Sequence, residues 1–251
     1  MTPDFWGAKH ECYIINSTLM RVSSMDILKA EQLTKTYFIE DREVPVLDHV
    51  SLSVADGEFI IIEGKSGSGK TTLLSLLSGL DKPTSGRVFI EGKEITHMSE
   101  DDLAPFRNRT FGFVFQSFHL VPSLSALENI MFPAELNKDP DAQDKAEQLL
   151  KQMDLSHRRY NLPSQLSGGE KQRVAICRAF INMPKIIFAD EPTGNLDSRS
   201  GEAIMQLLTD IHSERQATIL LVTHRTDMMD VADRTIYLED GRIMGEKKND
   251  P

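Results

Sequence analysis

The chain has 251 residues, with 28 Lys+Arg against 38 Asp+Glu and a formal charge of −10, an acidic balance that argues against a nucleic-acid backbone as the main partner, because such binding runs on clustered basic residues. A hydrophobic content of 40% suffices for a sizeable core in one large domain or two small ones. No run reaches the roughly 18 apolar residues of a bilayer-crossing helix, and the widely separated Cys12 and Cys177 point to a reducing compartment rather than a disulfide framework or metal knuckle.

Residues 1–24 lack a secretory pattern, since the apolar stretch Cys12–Asn16 is too short for one. They read as an extension without chemistry, and residues 25–251 as the functional domain. Residues 27–62 read as strands: Val46, Leu47, Val50, Leu52 and Val54 lead into Ala55-Asp56-Gly57-Glu58, a hairpin-type turn. Phe59–Ile62 is an all-apolar run suited to a parallel strand buried on both faces. Leu73–Leu80 looks helical. From about Gln116 to Phe180 the texture becomes helical, with Asp139-Pro140 offering an N-cap and a proline at the first helical position. Ala146, Leu149, Leu150 and Met153 share one helix face; Val174, Cys177 and Ile181 share another in a helix that Pro184 closes. Ile186–Ala189 and Thr218–Val222 are two more buried-strand runs, and Tyr237–Ile243 reads as a final hairpin. A nucleotide-type α/β core is thus interrupted by a helical insert over about 117–181.

Between the Phe59–Glu63 run and the helix at Leu73 lies Gly64-Lys65-Ser66-Gly67-Ser68-Gly69-Lys70-Thr71, matching G-x-x-x-x-G-K-[ST] in the strand–loop–helix setting the motif demands. Backbone N–H groups of such a loop form an anion site. Lys70 is then expected to reach the β- and γ-phosphates of ATP, the Thr71 hydroxyl to ligate Mg²⁺, and Thr72 to follow as a further nucleotide contact. Asp190-Glu191 ends a buried strand, where ligands of parallel sheets gather. Alone, an acidic pair before Pro192 is more often a solvated turn; beside a phosphate loop, Asp190 is expected to hold Mg²⁺ and Glu191 to act as general base. Three further residues carry two readings each. His224 either caps a helix or contacts the γ-phosphate and attacking water, Gln116 is either unremarkable or a Mg²⁺ ligand, and Tyr37 either packs or stacks on adenine.

Leu166-Ser167-Gly168-Gly169-Glu170 is the least ordinary stretch. Ser167 and Glu170 spell a capping box, which accounts for the serine and glutamate. It leaves two glycines at a helix start, each costing about 1 kcal/mol relative to alanine within a helix. Bare backbone meant to approach a phosphate would explain them.

In order and spacing this set resembles the ATP-binding subunits of ABC transporters over about residues 27–245. Gly64–Thr71 resembles the Walker A loop, Gln116 the Q-loop, Leu166–Glu170 the signature, Ile186–Glu191 Walker B, Asn195-Leu196-Asp197 the D-loop and His224 the switch histidine. Residues 79–86, 111–116 and 190–197 look like the lipoprotein-releasing and macrolide-exporting ATPases, the LolD and MacB type. Lys65 departs from that pattern where a small residue or proline is commoner, and Arg225 where an acid is usual. The resemblance implies a P-loop NTPase core with a mixed, mostly parallel sheet, an antiparallel β subdomain and an inserted α-helical subdomain. It implies cofactor contacts from Tyr37, Gly64, Lys65, Ser66, Gly67, Ser68, Gly69, Lys70, Thr71, Thr72, Gln116 and Asp197, and catalysis by Glu191, His224 and Lys70. Ser167, Gly168 and Gly169 would serve the nucleotide of a second copy, making the active form a two-fold homodimer. An integral membrane permease would dock near Gln116–Pro122, where Phe118, Leu120 and Val121 offer either a groove or core packing. The expected place is peripheral, on the cytoplasmic face of the inner membrane. The motifs fit equally an ATP-driven mechanical module that moves a membrane partner without cargo; a soluble nucleic-acid-acting relative fits poorly, for want of a second motif set, a coiled-coil insert or basic charge.

Overall fold

Successive residues of a β-strand face opposite ways, so an all-apolar strand needs a core on each side. The computed structural model, which describes residues 26–40, 42–224 and 231–249, meets that demand. Strands β1 (Asp26–Ile39), β2 (Arg42–Ala55), β4 (Ser85–Ile90) and β5 (Lys93–Glu94) form an antiparallel sheet in the order β2-β1-β4-β5. Strands β3 (Phe59–Glu63), β6 (Phe111–Phe115), β7 (Ile186–Asp190), β8 (Thr218–Thr223), β9 (Arg234–Glu239) and β10 (Arg242–Lys248) form a second sheet, β10-β9-β3-β8-β7-β6. Every pair in it is parallel except β9–β10 at the edge.

The helices are α1 (Lys70–Leu77), α2 (Glu100–Thr110), α3 (Ala126–Leu136), α4 (Ala142–Gln152), α5 (Gly168–Phe180) and α6 (Ser198–Arg215). One core gathers Phe59, Ile61, Ile187, Ala189, Ile219 and Leu221 with residues of α3, α4, α5 and α6. The other gathers their strand neighbours Ile60, Ile62, Ile186, Phe188, Leu220 and Val222 with α1 and the antiparallel sheet. Alternate residues of the same three strands therefore feed two separate cores. Arg234 joins the two sheets: its guanidinium donates to Glu58 at 2.8 Å and to the Ser53 carbonyl at 2.5 Å.

Most expected elements are present, with three corrections. The turn at 55–58 is no hairpin, because β2 and β3 belong to different sheets and Asp56-Gly57 carries the chain between them. The first helix begins at Lys70 and stops at Leu77, with Ser78 as C-cap. Asp139 does not cap α4: the helix starts at Ala142 with Asp141 at the N-cap position, and the Asp139 carboxylate instead accepts from the Asp141 N–H at 3.0 Å and pairs with Lys145. The proposed extension 1–24 and the departure at Arg225 lie outside the described residues. Among those residues, no helix is long and apolar enough to cross a membrane. Cys177 is a buried thiol whose pKa burial pushes up, so it acts as a small apolar side chain.

Strand β6 lies so close to α5 that a Cβ on Gly112 would sit 2.5 Å from both the Ala179 carbonyl oxygen and the Ile187 side chain. G112V should therefore destabilise the fold by about 1–3 kcal/mol, read as a lower urea midpoint; an unchanged midpoint would contradict this packing.

Candidate functional site

The loop between β3 and α1 wraps a lysine in its own carbonyls. Lys70 Nζ donates to Gly64 O at 2.7 Å and Lys65 O at 2.9 Å. The loop ends on Gly69, which has φ of 98° and caps α1; a Cβ there would meet Val46 O and Leu47 at 2.9 Å. A Cβ on Gly64 would fall 2.2 Å from Leu238 O and 2.6 Å from Ser68 Oγ, so bare backbone is required where the loop leaves the sheet. The chain here is packed hard from behind, leaving its other side open.

On that side lies a cavity of about 670 Å³. Ser66, Gly67, Gly69, Lys70, Thr71 and Thr72 line it from the loop, with Gln116, Glu191 and His224 entering from the ends of β6, β7 and β8. Asp190 is not in that lining but joins it through Thr71, accepting from its Oγ1 at 3.2 Å. Burial raises the Asp190 pKa and the neighbouring Glu191 adds to this; the Thr71 hydrogen bond and Lys70 oppose it without reversing it. Glu191 has φ of 47°, a left-handed backbone that costs a non-glycine residue on the order of 1–2 kcal/mol. The turn aims its carboxylate at His224, whose Nδ1 lies 2.7 Å from Glu191 Oε2. His224 is thus tied to the acid at the end of the neighbouring strand.

Gln116 is engaged by the 195–197 segment: its amide nitrogen donates to Asn195 Oδ1 at 3.3 Å, and Asn195 Nδ2 returns a bond to Gln116 O at 3.0 Å. The side-chain amide oxygen of Gln116, Oε1, is the atom that would meet a cation. The donor set suits Mg²⁺, which prefers hard oxygens and keeps waters and substrate phosphates for most of its shell. Among the described residues no group of three or more His, Cys, Asp or Glu could hold a metal by itself, so nucleotide oxygens would have to complete the shell.

Other expected residues sit elsewhere. Lys65 points away and pairs with Glu239 at 3.3 Å, while Ser68 is buried behind the loop. Tyr37 lies on β1 outside the cavity lining, its hydroxyl donating to Asp81 at 2.8 Å. Ser167, Gly168, Gly169 and Asp197 are also absent from that lining. Asp197 is the N-cap of α6, accepting from the Ser200 N–H at 3.0 Å. The capping box forms in full, with Ser167 Oγ accepting from Glu170 N and Glu170 accepting from Ser167 N at 2.7 Å. The two glycines, by contrast, are not demanded by this fold. Both lack positive φ; a Cβ on Gly168 would meet Leu196 Cδ2 at 3.3 Å and the Asn195 carbonyl oxygen only at 3.8 Å, and one on Gly169 would meet Ser200 Oγ at 3.3 Å and its Cβ at 3.5 Å. Val46, which lines the cavity from β2, was not foreseen; in sequence it is one more strand valine.

Beside β6 a second groove of about 380 Å³ is lined by Phe113, Phe115, His119, Phe132, Leu136 and Arg178, among others. Phe118, Leu120 and Val121 do not line it, and Leu120 packs against the core. Arg178 of α5 donates to Phe118 O at 2.8 Å and His119 O at 2.5 Å, binding the segment after Gln116 to the helix that begins at Gly168.

Residues 47–194 match the ABC transporter family. The chain is 44% identical over 223 residues to the lipoprotein-releasing system ATP-binding protein LolD of Idiomarina loihiensis, covering 88% of this chain and 98% of that one. It is 45% identical over 223 residues to the macrolide export ATP-binding/permease protein MacB of Chlorobaculum tepidum, and spans only 34% of that longer protein's length. Its fold is similar to a dimeric post-hydrolysis state of the ATP-binding cassette MJ0796 bound to ADP and Pi, with a TM-score of 0.83, 40% identity and coverage of 89% of this chain and 99% of that one.

Since the folded environment raises the Asp190 pKa, its ionisation opposes folding, and that cost grows as pH rises through the folded-state pKa. D190N should therefore raise the neutral-pH melting temperature of the nucleotide-free protein, by up to about 4 °C, with the gain vanishing towards acid pH. A lower melting temperature at neutral pH would contradict the desolvation argument.

Proposed function

Because the chain belongs to the ABC transporter family, as an ATPase cassette of the LolD and MacB type, we propose that it powers an export or lipoprotein-releasing transporter, docked as a homodimer on an integral permease at the cytoplasmic face of the inner membrane. The observation that carries the dimer is the division of the site. The loop, carboxylate and histidine groups meet in one cavity, while the signature stays outside it with two glycines its own fold does not require. A phosphate arriving from a second copy supplies the missing reason. The N–H groups at the first two positions of α5 have no partner within the helix and would face the γ-phosphate of that copy's ATP.

In this reading ATP lies with its phosphates along Ser66–Thr71 and its base on Tyr37. Lys70 would turn from its two loop carbonyls to the β- and γ-phosphates. Thr71 Oγ1, Asp190 and the Gln116 Oε1 would hold Mg²⁺, which would supply neutralisation of the phosphate charge when bound. Glu191 takes the proton of the attacking water as its oxygen bonds to the γ-phosphorus. The bond to the β–γ bridging oxygen breaks, leaving ADP and inorganic phosphate. His224, 2.7 Å from Glu191, orients the carboxylate and water. The permease docks on the groove beside β6: exposed Phe132 and Leu136 offer apolar contact, and Arg178 links the groove wall to the signature helix.

E191Q should keep ATP binding and lower turnover by about 10²–10⁴-fold, leaving an ATP-stabilised dimer visible by light scattering; wild-type ATPase activity would sink the base assignment. G168D should abolish hydrolysis while the isolated subunit keeps its ATP affinity. Loss of ATP binding by the G168D monomer would count against a signature that serves the partner.

A further inference from the structure

Tyr37 is not a loose ring at a strand end. Its hydroxyl donates to Asp81 Oδ2 at 2.8 Å, across 44 residues of sequence. The Lys35 ammonium reaches the Asp81 carboxylate at 2.8 Å and the Lys82 carbonyl at 2.7 Å, and sits 4.7 Å from the centre of the Tyr37 ring. Asp81 also accepts from the Lys82 N–H at 2.7 Å. The Lys35 side chain is only 12% exposed, so this ammonium is committed to the cluster rather than to solvent. Tyr37 is therefore held through its oxygen by Asp81, which Lys35 and the Lys82 N–H hold in turn.

We infer that Asp81, braced by Lys35, is a positioning residue that fixes the Tyr37 ring in advance as the platform for the nucleotide base. The proposal rests on the reading that Tyr37 stacks on that base. A stacking ring needs its plane set relative to the phosphate loop, and the strand that carries Tyr37 ends two residues later at an exposed tip, with Phe38 72% and Ile39 58% exposed. Among the described residues of that tip, none hydrogen-bonds the tyrosine hydroxyl. Asp81, in the turn between α1 and β4, does, accepting from that hydroxyl at 2.8 Å. Binding then spends little freedom on ordering the ring, and a preset side chain is worth a few-fold in affinity. With Lys35 near the ring, the stacking face left for a base is the one turned away from the ammonium.

The test compares Mg²⁺-ATP with Mg²⁺-tripolyphosphate, which has the phosphates and no base, by calorimetric titration of the full chain. Y37A should weaken ATP and spare tripolyphosphate. D81A should weaken ATP by about 3- to 10-fold and also spare tripolyphosphate, and Y37F, which keeps the ring and removes the link, should match D81A. The double variant D81A/Y37A should bind ATP no worse than Y37A alone, since Asp81 acts only through the ring. If Y37A binds ATP normally, the base reading fails and the proposal with it. If Y37A is weakened while D81A and Y37F bind normally, stacking stands and the positioning role is overturned. Equal weakening of tripolyphosphate by D81A would overturn it too, placing the effect on the phosphate loop.

Discussion

Parallel register fixes this site. Glu63 pairs with Thr223, Asp190 with Val222 and Phe115 with Asp190, so four strands end almost in one row. The residue after each end then has little choice of address. Gly64 starts the phosphate loop, Glu191 turns back on itself, Gln116 crosses to Asn195 and His224 meets Glu191. The register exists because apolar strands fill two cores at once, so a slip of one residue would exchange their contents. The polar chemistry at one end of the sheet is positioned by the packing of Phe59, Ile187, Phe188 and Leu221 further down.

That packing also sustains the site's local costs. Glu191 holds a left-handed backbone, Asp190 is partly desolvated beside a second carboxylate, and Lys70 finds only carbonyls in its own chain. Each is tolerated because the flanking strands are buried on both faces; a divalent cation would relieve Asp190 and nucleotide phosphates Lys70, while the Glu191 backbone stays as the packing sets it. The arrangement puts local stability below its optimum in exchange for a cavity waiting for negative charge.

The central strands, the phosphate loop and the signature were legible because each has a local cause: an unbroken apolar run, glycines fixed by close packing, a capping box. The turn at 55–58 misled because turn chemistry is the same whether the next strand pairs with the last or joins another sheet. Helix α2 was missed because only Leu103 and Thr110 are buried along it and Pro105 sits inside it, so no apolar stripe marks it. Helix α6 begins Ser-Arg-Ser-Gly and was hidden by that start, although Asp197 caps it. The N-cap reading at Asp139 failed because its carboxylate accepts from the Asp141 N–H ahead of the helix, and Asp141 holds the N-cap position without a side-chain cap bond. The anchoring of Tyr37 by Asp81 was invisible in sequence, because 44 residues separate them and neither position has a pattern that names the other.

The central claim is that this chain carries one complete phosphate site and half of another's. Its most direct test is a mixed disulfide. One preparation carries S66C and a second carries S167C, both in the E191Q background with Cys12 replaced by serine; Cys177 is buried. Mixed with ATP and mild oxidant, the two should form an intermolecular disulfide between positions 66 and 167, identified by peptide mass spectrometry and absent without nucleotide. A chain carrying both substitutions should give the same cross-link only between copies. A disulfide closing within one chain, or none in ATP, would contradict the account.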